Sequence, residues 1–70
     1  MKRGKNMYKV TWLNEYGYRN AIECDTLAYA DYYFKQKQTN EKVMVTMFEN
    51  AKPLKFAEKV RNQWYVIELV

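Results

Sequence analysis

Seventy residues, 49% hydrophobic and 29% charged with only two Gly and one Pro, make one small folded domain and not a disordered or collagen-like chain. The absence of His and Ser and the single Cys exclude a serine triad, a Cys/His zinc site and an internal disulfide. The net charge of +4, twelve Lys and Arg against eight Asp and Glu, suits phosphate or an acidic partner but is modest for a dedicated nucleic-acid binder.

Residues 7–13 alternate Tyr8, Val10 and Trp12 against Lys9 and Thr11, the period-two pattern of a strand with one buried face. Asn14, Glu15, Tyr16 and Gly17 follow. Asn opens turns and Gly takes positive φ, so the chain reverses into a second strand over residues 18–24, where Ile22 and Cys24 share a face. Asp25 and Thr26 can each accept a backbone N–H at a helix start, and no Gly or Pro interrupts residues 27–38, which predicts a helix of about three turns. At about 100° per residue, Leu27, Ala30, Tyr33 and Phe34 gather on the sheet-facing side with the stem of Lys37, and Ala28, Tyr29, Tyr32, Lys35 and Gln36 on the other.

Thr39, Asn40 and Glu41 make a polar break before a β-branched, Met-rich strand over residues 42–48, expected at the centre of the sheet. Residues 49–53 read as a turn, because Asn favours turns and Pro53 has no N–H for a sheet ladder. Residues 54–60 alternate Leu54, Phe56 and Val60, read as the core side, against Lys55, Ala57 and Lys59, read as the outward side. Residues 61–63 then lead into a last strand over residues 64–70. The predicted fold class is α+β, in the order ββαβββ: a five-stranded antiparallel sheet with one helix packed on one face. Residues 1–6 are expected to form a basic flexible tail on a single domain of residues 7–70.

The charge is unevenly placed. Lys2, Arg3, Lys5 and Lys9, with no acid among them, account for the whole +4, and residues 10–70 balance. Residues 35–63 are a second basic stretch, including Lys55, Lys59 and Arg61. No apolar run approaches the roughly 20 residues that span a bilayer, and the basic start leads into an alternating segment instead of a signal-peptide core. The expectation is a cytoplasmic protein with no membrane partner. Lys, Asn, Tyr, Ile and Phe, the residues with AT-rich codons, supply 27 of the 70 positions, which suits an AT-rich bacterial genome or its phage.

Tyr8, Val10 and Trp12, Gly17, the Asp25-Thr26 helix start, and Ala30 with Phe34 together resemble the ββα arm-type DNA-binding module of phage integrases, which is similar to the plant AP2 domain. The resemblance covers residues 8–37. It implies that the exposed face of the first hairpin enters the major groove of DNA. This hairpin departs from a basic pattern, with Glu15 and Glu23 beside Arg19, and three further strands follow the helix.

Seven Tyr and two Trp are many for this length. Tyr8, Trp12, Tyr33, Phe34, Phe56 and Trp64 are expected in the core. Tyr29 and Tyr32, on the helix side away from the core, with Lys35 and Gln36 beside them and Tyr16 at a turn tip, are the candidate partner-binding residues. Cys24 has no His to activate it and two acidic neighbours, so it reads as a small buried hydrophobe, and Asp25 reads as a helix cap. No catalytic, cofactor-binding or metal-binding residue is expected, and the chain reads as a non-enzyme. It reads as a small binding protein of phage or mobile-element type that docks on a host protein, a nucleic-acid-processing or defence enzyme among the candidates, and inhibits or modulates it. It would act as a monomer or small homo-oligomer. The alternative is a nucleic-acid-binding module that uses Lys2, Arg3 and Lys5 with Lys55, Lys59 and Arg61 on an outward sheet face.

Overall fold

The computed structural model describes residues 7–39 and 41–69 of the chain. Its elements are β1 (Tyr8–Asn14), β2 (Arg19–Cys24), α1 (Leu27–Gln36), β3 (Lys42–Glu49), β4 (Lys52–Val60) and β5 (Gln63–Glu68). The five strands form one antiparallel sheet in the order β2-β1-β3-β4-β5, so the fold is the α+β, ββαβββ arrangement expected from the sequence, with β3 at the centre.

Each reversal follows from its residues. Asn14 Oδ1 accepts the N–H groups of Tyr16 and Tyr18, both at 2.9 Å, and Gly17 takes φ 90 to close the β1–β2 turn. The β3–β4 and β4–β5 hairpins turn on Asn50 (φ 49) with Ala51 (φ 71), and on Arg61 (φ 54) with Asn62 (φ 67). Two successive left-handed residues form the mirror-image turn whose twist matches that of the flanking strands. The β3–β4 reversal is therefore shorter than the expected residues 49–53. Lys52 and Pro53 already belong to β4, and Pro53 sits where the β3–β4 register shifts.

Thr26, and not Asp25, caps the helix: its hydroxyl accepts the Tyr29 N–H at 3.2 Å. The helix ends at Gln36 with Lys37 as C-cap, two residues short of the expected span. It lies across β1, β2 and β3. Ala30 and Phe34 are buried against Val10, Cys24, Val45, Met47 and Ala57, with Tyr8, Trp12, Ile22, Tyr33, Leu54 and Trp64 packed around them. Two lysines tie helix and sheet together. Lys37 Nζ stands 4.4 Å from the centre of the Trp12 ring, and Lys55 Nζ donates to Asp31 Oδ1 at 3.0 Å while lying 4.9 Å from the Phe34 ring.

Four expected side-chain placements are corrected. Leu27, the first residue of the helix, is 49% exposed, whereas Ala30 and Phe34 in the following turns are buried on the sheet. Ala57, not Phe56, joins the core: the register runs Val45 to Ala57 and Thr46 to Phe56, which puts Phe56 on the helix-free face. For the same reason Lys55 and Lys59 lie on the helix-bearing face and not outward. Leu54 is the extra residue at the shift, and it resets the alternation that the sequence suggests from residue 54 onward. Val60, expected in the core, is exposed.

One helix over three strands leaves the β4–β5 hairpin projecting. The described chain measures 49 × 23 × 17 Å with a radius of gyration of 12.5 Å, against about 11 Å for a compact chain of 70 residues.

Candidate partner-binding face

Tyr29, Tyr32 and Gln36 recur at spacings of three and four and so stand in one row on the outer side of α1. Tyr29 is 61% exposed and Tyr32 55%. With Thr26 and Ala28 they line an open hollow of about 360 Å³. Gln36 Nε2 donates to the Tyr32 hydroxyl at 3.0 Å, and the Tyr32 ring meets Tyr33 edge-on with centroids 5.0 Å apart. Tyr32 is thus held from its tip and its flank. Lys35 is exposed in the last turn, where a cation suits the carbonyl end of the helix. Of the five candidate residues, the structure brings together Tyr29, Tyr32, Lys35 and Gln36. Tyr16, 76% exposed, belongs instead to the tip of the β1–β2 hairpin.

The residues of the alternative do not form one outward basic face. Lys2, Arg3 and Lys5 lie outside the described residues. Lys55 is engaged by Asp31 beneath the helix, Lys59 is across from Trp64 on the same face, and Arg61 is exposed in the β4–β5 turn.

The helix-free face of the sheet carries Thr11, Met44, Thr46, Phe48 and Phe56, all half-buried. A hollow of about 400 Å³ opens on it, lined by Lys9, Thr11, Glu23 and Phe48 among others, so its charges are mixed. The sequence reading missed this face. Its signal was present, since five strands and one helix must leave one face bare, and residues 43–48 place apolar side chains in both phases of the alternation (Met44 and Phe48 against Val43, Val45 and Met47).

Among the described residues the buried side chains are all apolar apart from the thiol of Cys24. Burial pushes that thiol's pKa up, and the nearby Asp25 carboxylate pushes it further, so it is held in the neutral, poorly nucleophilic form. Among the described residues no group of three or more His, Cys, Asp and Glu is placed to hold a metal ion, and no helix is long and apolar enough to cross a membrane. No protein family, no curated protein and no solved structure matches the chain.

Proposed function

We propose that the protein is a non-catalytic binding module that docks on a partner protein through the outer face of α1. In its native setting it would be a phage or mobile-element product that occludes a host enzyme of nucleic-acid processing or defence. The observation that carries the reading is the pair Tyr29 and Tyr32. Both are largely exposed in a small domain that packs its other helix aromatics, Tyr33 and Phe34, inward, and Tyr32 is already fixed by Gln36 and Tyr33. Tyrosines offer large contact area at low cost in rotamer freedom, and pre-ordering lowers that cost further. The engagement of Lys55 by Asp31 weighs against the nucleic-acid alternative, because a lysine already neutralised releases little counterion from a phosphate backbone.

The test is affinity capture from a nuclease-treated bacterial lysate, comparing the native protein with Tyr29→Ala plus Tyr32→Ala. The native chain is expected to retain a partner after nuclease. Each tyrosine lost should cost about 2 kcal/mol of binding, roughly thirtyfold in affinity, mainly in dissociation rate. Melting should shift only slightly, since both rings are more than half exposed and only the Tyr32 contacts with Gln36 and Tyr33 are lost. Capture abolished by nuclease and by Lys2→Ala, Arg3→Ala and Lys5→Ala together, but indifferent to the tyrosine pair, would replace this reading with nucleic-acid binding.

A further inference from the structure

β5 is the outermost strand on its side of the sheet. The Leu69 N–H donates to the Leu54 carbonyl at 2.8 Å, and the register continues through Ile67 with Phe56, Tyr65 with Glu58 and Gln63 with Val60. Main-chain groups of an antiparallel strand turn to the same neighbour at every second residue. The odd-numbered residues therefore bond to β4, while Trp64, Val66 and Glu68 direct their N–H and C=O groups to the open edge.

This edge is lightly guarded, with Glu68 its one charged side chain. β5 contains no Lys, no Pro and no register shift, and Trp64, Tyr65, Val66 and Ile67 are all strong strand formers. Tyr65, Val66, Ile67 and Leu69 are each 43–51% exposed. The opposite edge, β2, is blunted by Arg19, Asn20 and Glu23. Because α1 lies over β1, β2 and β3, it does not shield β5 either.

We infer that β5 pairs with β5 of a second copy of this chain, antiparallel about a twofold axis at Val66. That axis opposes all three outward residues to one another: Val66 meets the second copy's Val66, and Trp64 meets its Glu68, for about six main-chain hydrogen bonds across the seam. Charge agrees with this register. Glu68, the one ionisable acid of β5, faces an indole instead of a second carboxylate, and Lys55 of its own chain lies across from it on β4. On the helix-bearing face the seam is a row of Ala57, Val66 and their two counterparts. On the bare face Phe56 and Ile67 run on to the second copy's Tyr65. An unrelated strand would have to supply this pattern by chance, whereas a second copy supplies it by symmetry. The axis stands perpendicular to the sheet, so both helices rise on one face, each over its own β1, β2 and β3, and do not collide.

The seam is short and falls below the roughly 1,200 Å² of a standard interface, so the association is an equilibrium that depends on concentration. In sedimentation, the mass of the native chain is expected to rise from 8.5 kDa toward twice that value as protein is concentrated. Val66→Lys should stay at the single-copy mass throughout, because it sets two ammonium groups against each other. An equal mixture of Val66→Lys and Val66→Glu should regain the dimer, a rescue that no other register predicts. Amide exchange on the native chain tests the same geometry without a variant: the Trp64, Val66 and Glu68 amides should slow as concentration rises, while those of Tyr65 and Ile67 are slow already. The inference is overturned if the native chain stays at 8.5 kDa, if Val66→Lys associates like the native chain, or if the outward amides ignore concentration.

Discussion

Ala51 holds φ 71 at the second position of a two-residue hairpin turn, a backbone region in which a Cβ is strained and which such turns usually fill with Gly. Gly17 presents the opposite case, for it sits at φ 90 with open space where a Cβ would stand. Conformation alone, without steric contact, therefore sets the effect of substitution at Gly17. Ala51→Gly is expected to raise stability by about 1 kcal/mol and Gly17→Ala to lower it by about the same amount. Thermal or urea melts of the two variants check both signs, and an Ala51→Gly variant that melts below the native chain would show the strain to be absent. Before this turn is seen, the run of Glu49, Asn50, Ala51, Lys52 and Pro53 contains no Gly to locate the positive φ. For that reason the reversal is legible in the sequence, but its two-residue length is not.

At the scale of elements, periodicity is enough where one face is buried and the other wet. Tyr8, Val10 and Trp12 mark β1 correctly, and Ala30 with Phe34 mark the inner side of α1. It fails in β4, where Phe56 and Ala57 are adjacent and both apolar, so that size suggests one face and the register shift at Leu54 selects the other. The candidate helix row was legible because Tyr29 and Tyr32 lie opposite a clear core stripe. The bare sheet face is legible only when all five strands are weighed against the one helix, because Met44 and Phe48 look like core when only one strand is considered. The corrected position of Lys55 has a measurable consequence. Its bond to Asp31 is the one helix-to-sheet ion pair among the described residues, and both side chains are partly exposed. A double-mutant cycle with Asp31→Asn and Lys55→Met should give a coupling of about 0.5 kcal/mol, falling with added salt. A coupling of zero at low salt would show that the pair does not hold the helix.

For the whole molecule, the uneven cover of the sheet implies uneven stability. Val10, Val45 and Met47 of β1 and β3 are fully buried beneath α1, whereas β5 buries no side chain completely and pairs on one side only. Segments with few buried apolar contacts open at lower free energy than the global unfolding reaction. At concentrations low enough to keep a single copy, the β5 amides that bond to β4 are expected to exchange by a local opening of the β4–β5 hairpin, while those of β1 and β3 exchange only on complete unfolding. Phe34→Ala separates the two processes. Removing that ring from under the helix should cost about 3–5 kcal/mol of global stability, a loss that should appear in full in the β1 and β3 amides. The Tyr65 and Ile67 amides report the hairpin, which the helix does not cover, so their protection should hold until the global free energy falls to the level of the local opening. If all four strands paired through β3 and β4 instead lose protection together by the same amount, the sheet opens as one unit, and the projecting hairpin is as cooperative as the covered core.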